Sequence, residues 1–333
     1  MSKVTAIAHP IQGLIKYHGM KDWKLRLPYH DSISVCMQEL STITTVEASS
    51  NLGKDIFFIN GKNLEEREAR RMKAILDKVR ELSDQDIRVK AVSENRINDK
   101  IYSYEIGKGL GFSASGGAAL AAASVKAFGL NEISNDLEKL STVARRLAGS
   151  ASRSTVGGFA RWYTSEKDEE SFARQLASRK DFPDFRMIAY PIQTNIRTEQ
   201  AHSEVETSPL FVSRLNSIGP MLEQMENAIK ARDVGKICSL TEKDSLLLHA
   251  VTMTGDSHML VLEPESIQIF KKIKELRNTG ITANVSWDTG PSTFVNTTED
   301  NVNEVIEGLK FLKVNPVVCS VGEEVKLIND HLF

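Results

Sequence analysis

Ala144-Arg145-Arg146-Leu147-Ala148-Gly149-Ser150-Ala151-Ser152-Arg153-Ser154-Thr155-Val156-Gly157-Gly158-Phe159-Ala160-Arg161-Trp162 sets small hydroxyls, glycines and a central arginine at a helix end. Glycine and serine let the backbone approach a ligand closely, and successive N–H groups of a turn or helix start form a concave donor array for phosphate or carboxylate. Arg153 adds a planar fork suited to bidentate anion binding. A plainer reading is a glycine-rich turn followed by a strand from Gly158 to Tyr163, with Arg153 merely solvated. The residues alone leave both open.

On the N-terminal side, Ser134–Ala148 reads as one helix capped by Ser134 or Asn135 that delivers the chain into this segment. Further upstream, Gly107-Lys108-Gly109-Leu110-Gly111-Phe112-Ser113-Ala114-Ser115-Gly116-Gly117 runs into the alanine-rich helix Ala118–Phe128. A glycine-rich loop feeding a helix start is a second candidate anion site, expected to neighbour the first. Before it the pattern predicts strands at Val4–Ala8, Ser32–Met37, Thr42–Ala48, Ile56–Asn60 and Ile87–Ser93. Asn63–Leu82 reads as an amphipathic helix, with Met72, Ile75, Leu76, Val79 and Leu82 on its apolar face.

Downstream, the polar, turn-rich stretch Ser165–Pro183 marks the expected domain boundary. It separates an N-terminal lobe, residues 1–185, from a C-terminal lobe, residues 186–333. The second lobe reads as a strand at Met187–Pro191, helices at Leu210–Arg232, Val234–Thr252 and Ser266–Asn278, and strands at Thr282–Trp287 and Thr293–Asn296. A helix near Asn301–Phe311 and a strand at Pro316–Val321 complete an α+β sandwich pattern.

The whole-chain numbers narrow the function classes. With 333 residues the chain exceeds the usual single core. Its 42 basic and 44 acidic residues create no field directed at nucleic acid, so anion binding must be local. No stretch approaches the roughly 20 apolar residues of a membrane helix, and the start lacks the pattern of a secretory leader. Cys36, Cys238 and Cys319 are far apart, lack metal-ligand spacing and read as reduced, buried thiols. The expectation is a cytoplasmic protein with no metal site of its own.

Asp288 follows an apolar strand and precedes Thr289-Gly290-Pro291, so it is either presented at a strand end for chemistry or capping its own turn. Lys16, in Leu14-Ile15-Lys16-Tyr17-His18-Gly19, is either desolvated against an anion or a snorkelling surface lysine. His18 and His30 show no partner in the sequence, and His249 in Leu246-Leu247-Leu248-His249-Ala250 reads as a core histidine.

Together these pieces resemble the mevalonate diphosphate decarboxylase family of the GHMP kinase superfamily, collinearly over nearly the whole chain. Ile15-Lys16-Tyr17-His18-Gly19 is similar to the family's Ile-Lys-Tyr-Trp-Gly. Gly109-Leu110-Gly111-Phe112-Ser113-Ala114 is similar to its phosphate loop. Ala144-Arg145-Arg146, Gly149–Arg153 and Gly157-Gly158-Phe159 match a further segment, and Asp288-Thr289-Gly290-Pro291 matches Asp-Ala-Gly-Pro. The resemblance implies a two-lobed GHMP-kinase-like α+β fold, with a ribosomal-S5-domain-2-like N-terminal lobe and a ferredoxin-like C-terminal α/β sandwich lobe. It also implies a homodimer and a catalytic trio of Asp288, Lys16 and Arg153, in which the arginine holds the carboxylate to be lost. Gly149, Ser150 and Ser152 are implied as substrate-binding residues. Tyr17, Lys21 and Arg197 are expected to hold the 5-phosphate from their proximity to matched motifs.

The departures fall on groups that would handle ATP. Phe112 stands where the first of two adjacent phosphate-loop serines is usual, leaving Gly109 and Ser113 as the altered loop. Ile11 replaces an asparagine and Met20 a lysine. Ala148 removes a hydroxyl near the 5-phosphate, suggesting a smaller phosphate, while Ser93 still matches a nucleotide-side serine and Asn95–Tyr104 is longer than usual. These changes fit the family's archaeal ATP-independent members, which convert mevalonate 3,5-bisphosphate to isopentenyl phosphate, carbon dioxide and phosphate with no cofactor. The alternative is ATP- and Mg²⁺-dependent decarboxylation of mevalonate 5-diphosphate or 5-phosphate.

Overall fold

The computed structural model describes residues 3–102, 109–196 and 198–333 and contains three main sheets. In the first, the order is Lys326–Ile328, Val4–Ala8, Leu40–Ser49, Arg88–Ile97, Ile56–Ile59, Lys62–Asn63, with Lys100–Ile101 also paired to Arg88–Ile97. The second runs Ala173–Ala177, Phe159–Trp162, Ser32–Cys36, Ile11–Ile15. The third runs Ala283–Trp287, Thr293–Thr298, Phe185–Tyr190, Val317–Cys319. The pairings are antiparallel except that of Ile56–Ile59 with Arg88–Ile97. The last strand, Lys326–Ile328, returns from the C-terminal half to pair with Val4–Ala8.

The helix Phe112–Ala127 shows why the alanine run exists. It is apolar nearly all round, and Ala118 to Ala123 are buried against the first sheet and the amphipathic helix Glu66–Ser83. Small side chains bring it close to its neighbours: a Cβ on Gly117 would come within 2.6 Å of Ala151 Cβ. Helix Glu66–Ser83 buries Ala69, Met72, Ile75, Leu76 and Val79 as its periodicity predicts. Leu82 does not join them and is 40% exposed at the helix end.

The predicted helix Ser134–Ala148 is divided. Asn131–Ser134 forms one turn, and a new helix, Leu137–Ala144, is capped by Asp136, whose carboxylate accepts from the backbone of Glu138 and Lys139. The residues after Ala144 form turns because Arg145 is drawn inward, donating to Leu25 O and to Asp168. Residues 151–156 then form a separate short helix leading into the strand Phe159–Trp162. The long predicted helices of the second half are present as Phe211–Ala231, Val234–Met253 and Pro264–Arg277. Ile11–Ile15, Ala173–Ala177, Thr198–Glu204 and Lys326–Ile328 are elements the pattern did not reveal, being short or lacking clean alternation.

Candidate active site

Lys16 and Asp288 meet where the second and third sheets converge. Lys16 lies just past the strand Ile11–Ile15, and Asp288 just past Ala283–Trp287. The Lys16 ammonium is 2.8 Å from Asp288 Oδ1, and Gly13 N donates to the same oxygen at 3.2 Å. A Cβ on Gly13 would come within 2.9 Å of that oxygen, so only glycine allows this approach.

One helix, Val234–Met253, tethers both halves through consecutive residues. Asp244 accepts from Lys16 N at 2.8 Å and from Arg214 Nη2 at 2.9 Å, while Arg214 also donates to Lys16 O. Ser245 Oγ accepts from Trp287 N at 2.6 Å and donates to Trp287 O at 2.9 Å. His249, one turn on, hydrogen-bonds the Asp288 backbone and packs edge-on against Trp287. Its core assignment holds, and burial pulls its pKa down to about 4, leaving it neutral. Burial likewise lowers the pKa of Lys16, opposed by Asp288 and reinforced by the nearby Arg153 cation.

Arg153, on the short helix 151–156, is fully buried rather than solvated. Its Nε, Nη1 and Nη2 have no hydrogen-bond partner among the described residues. Its guanidinium carbon lies 5.5 Å from the centre of the Tyr17 ring, and the charge of Asp288 reaches it. A buried guanidinium with every donor unmet is costly unless an anion completes it.

Beside this group a pocket is lined by Tyr17, Ser113, Gly149, Ser150, Arg26 and His202 among others, so the two candidate anion segments are neighbours. Arg71 also reaches it. Tyr17 stacks on His202 with ring centres 4.8 Å apart and meets Trp162 edge-on at 5.1 Å. A Cβ on Gly149 would strike the Trp162 ring at 2.7 Å and Tyr17 Oη at 3.0 Å, which fixes glycine there.

Several expected residues are placed differently. Lys21 is not among the pocket-lining residues; its side chain is exposed and pairs with Glu166 on the surface, because the strand Met20–Asp22 turns it outward. Ser152 Oγ is engaged within its own turn, donating to Gly149 O at 2.7 Å. Arg197 lies outside the described residues, as do residues 103–108 of the glycine-rich loop. Gly109 has φ of +91° and abuts Ser292, whereas Ser113 is exposed at the second position of its helix. Phe112, the first residue of that helix, is buried beside Leu110 and tilts against Tyr102. Ser93 is buried and bonded to Thr44, and the long stretch after Asn95 turns at Asn98 and Asp99 into a hairpin with Lys100–Ile101. His18 and His30 do have partners: His18 meets His202 and Thr252, and His30 meets Asp31 O.

Arg26, Arg71, His202, Arg214 and Asp244 were not singled out by the sequence. No motif signals them, and Arg71, His202, Arg214 and Asp244 reach the site from elements far along the chain.

Residues 8–173 match the model of the diphosphomevalonate decarboxylase-like N-terminal domain, and residues 196–324 that of the mevalonate 5-diphosphate decarboxylase C-terminal domain. The chain belongs to the diphosphomevalonate decarboxylase family. It is 38% identical to phosphomevalonate decarboxylase of Haloferax volcanii over 98% of both chains. With diphosphomevalonate decarboxylase of Candida albicans it shares 32% identity over 88% of this chain and 83% of the relative. A mevalonate diphosphate decarboxylase from Staphylococcus aureus superposes with a TM-score of 0.91 at 28% identity, covering 98% of each chain. The Enterococcus faecalis enzyme, described with a mevalonate-diphosphate-mediated mechanism of ATP binding, superposes with a TM-score of 0.90 at 29% identity over 98% of this chain and 99% of its own.

The protein is therefore a carboxy-lyase acting on phosphorylated mevalonate in the mevalonate pathway, with the GHMP-kinase-like two-domain fold. Among the described residues no helix is long and apolar enough to cross a membrane. The three cysteines are free and buried, and burial raises their thiol pKa, to about 12 for Cys36 and Cys238.

Proposed function

We propose that this decarboxylase takes mevalonate 3,5-bisphosphate and releases isopentenyl phosphate, carbon dioxide and phosphate without ATP. The observation that carries the reading is the fully buried Arg153 guanidinium, its three nitrogens unpartnered among the described residues, near the Lys16–Asp288 pair. It suits the substrate carboxylate. The C3–O bond breaks with its electron pair leaving on phosphate, which Lys16 stabilises. Asp288 faces the positive charge that develops on C3. The C1–C2 bond then breaks as carbon dioxide departs, and its electron pair becomes the alkene between C2 and C3. Arg153 holds the carboxylate so that this bond is aligned with the empty orbital.

Independence from ATP is supported by Phe112. Its ring packs in the core at the first turn of the phosphate-loop helix, where a hydroxyl donor would serve a nucleotide phosphate. A single phosphate on C5 is supported by Ala148 in the wall of the Tyr17 pocket, which contributes no hydroxyl there.

A second reading, ATP- and Mg²⁺-dependent decarboxylation of mevalonate 5-phosphate, is favoured by the similarity to the Haloferax enzyme and by the exposed Ser113 at the same helix start. Ser113 and the first turn of that helix are the groups that would hold nucleotide phosphates, and ATP would supply the 3-phosphate.

Carbon dioxide release decides between them. The protein is incubated with the bisphosphate alone and, separately, with mevalonate 5-phosphate or 5-diphosphate plus ATP and Mg²⁺. Turnover of the bisphosphate alone is expected; activity that requires nucleotide overturns the first reading in favour of the second.

A further inference from the structure

His202 lines the Tyr17 pocket with one ring nitrogen that no described residue satisfies. Its ring is 2% exposed and lines the pocket with Tyr17, Gly149, Ser150, Arg26 and Arg71, and its Nε2 has no partner among the described residues.

The surroundings decide which nitrogen bears the proton. Gly19 N, which can only donate, points to His202 Nδ1 at 3.3 Å. Nδ1 is therefore the acceptor of a neutral imidazole, and the proton sits on Nε2. His18 Nδ1 also faces His202 Nδ1 at 3.3 Å and, with the latter accepting from Gly19, is the nitrogen that supplies a hydrogen there; His18 Nε2 lies 2.8 Å from Thr252 Oγ1, whose one hydrogen is shared between this nitrogen and Leu248 O at 3.0 Å. The ring cannot rotate freely because it lies flat on Tyr17, with planes 6° apart. The result is a fixed, uncharged N–H in a pocket whose other polar walls are two arginines, the Gly149–Ser150 segment, Ser113 and Glu199, the last held to Arg26 at 2.8 Å.

We propose that His202 is a specificity-determining residue whose Nε2–H donates to an oxygen of the substrate's C5 phosphate. The proposal rests on the reading of this enzyme as a decarboxylase of a 5-phosphorylated mevalonate. A neutral donor adds a directed hydrogen bond without further positive charge, and Glu199 on the same wall disfavours a second phosphate group. The bond exists before and during the chemical step, so its loss weakens binding rather than the reaction.

His202→Phe keeps the ring on Tyr17 and removes the donor, whereas His202→Gln restores an N–H at a similar reach. With whichever phosphorylated mevalonate the unmodified enzyme turns over, the Phe variant is expected to raise KM about tenfold to a hundredfold with kcat nearly unchanged. The Gln variant is expected to recover most of the affinity. An unchanged KM in the Phe variant, or a fall in kcat alone, overturns the proposal. Failure of the bisphosphate reading shows separately, as an unmodified enzyme inactive with that compound. Long-range ¹H–¹⁵N spectra of the unmodified full chain supply a test without mutation. His202 is expected as the Nε2–H tautomer, its ring resonances shifting on addition of inorganic phosphate or substrate; an Nδ1–H tautomer overturns the proposal.

Discussion

Lys16 Nζ and Asp288 Oδ1 lie 2.8 Å apart, with side chains only 9% and 14% exposed, although they come from opposite ends of the chain. Burial pulls the Lys16 pKa down, and the Asp288 carboxylate beside it opposes that pull.

Asp288→Asn removes the carboxylate expected to face the developing carbocation while keeping its shape. Loss of one preorganised charge of this kind is worth roughly 3–4 kcal/mol, so turnover should fall about a hundred- to a thousandfold. Carbon dioxide release under saturating substrate measures it. Near-normal activity would show that Asp288 has another role.

Gly13→Ala should separate positioning from folding. The added Cβ would lie 2.9 Å from Asp288 Oδ1 and 3.2 Å from Lys16 Cβ, displacing a carboxylate tip rather than backbone. Activity should drop at least about tenfold through misplacement of the pair. The urea midpoint should move little, and an alanine variant with full activity would mean that the Asp288 position is not critical.

Arg153→Met exchanges a buried cation, without a hydrogen-bond partner among the described residues, for an apolar chain of similar length. Without substrate the fold should gain about 1 kcal/mol or more, because an unmet buried charge is removed. Activity should fall at least a hundredfold as the carboxylate loses its holder. Thermal melts and assays on one preparation test both; a destabilised variant would show that Arg153 contributes to the fold.

Acid should weaken the fold through its buried histidines. Burial, the largest cause in each, pulls the pKa of His30 and His202 down to about 3 and that of His249 to about 4, against the ordinary 6.5. In the unfolded chain they regain the ordinary value, so below pH 6.5 the unfolded state binds more protons and stability falls as pH falls. The loss is at most about 1.4 kcal/mol per histidine per pH unit. Urea midpoints at pH 7 and 5 should therefore descend, and a midpoint that holds or rises would contradict the neutral, buried state of these rings.

Many parts of the candidate site are local in sequence. Gly149 to Arg153, Lys16-Tyr17 and Asp288-Thr289-Gly290-Pro291 are short runs whose composition already implies close backbone approach and anion binding, and the motif resemblance joined them. Lys21 is placed on the surface against Glu166; proximity in sequence to Tyr17 says nothing of which way a three-residue strand turns its side chains. The division of Ser134–Ala148 was hidden because Arg145 looks like an ordinary helix-surface residue until Asp168 and Leu25 draw it inward.

By itself the sequence determined the α+β class, the alanine-rich helix, the amphipathic helix and the long helices of the second half, all properties of local periodicity, while the family resemblance proposed the charged trio. Only the tertiary structure decided that Asp244 and Ser245 tether the two halves of the site, that Arg153 is buried with its donors unmet, and that His202 joins Tyr17 at the pocket. Those facts depend on burial and on hydrogen bonds between elements distant along the chain, which no local pattern of residues encodes.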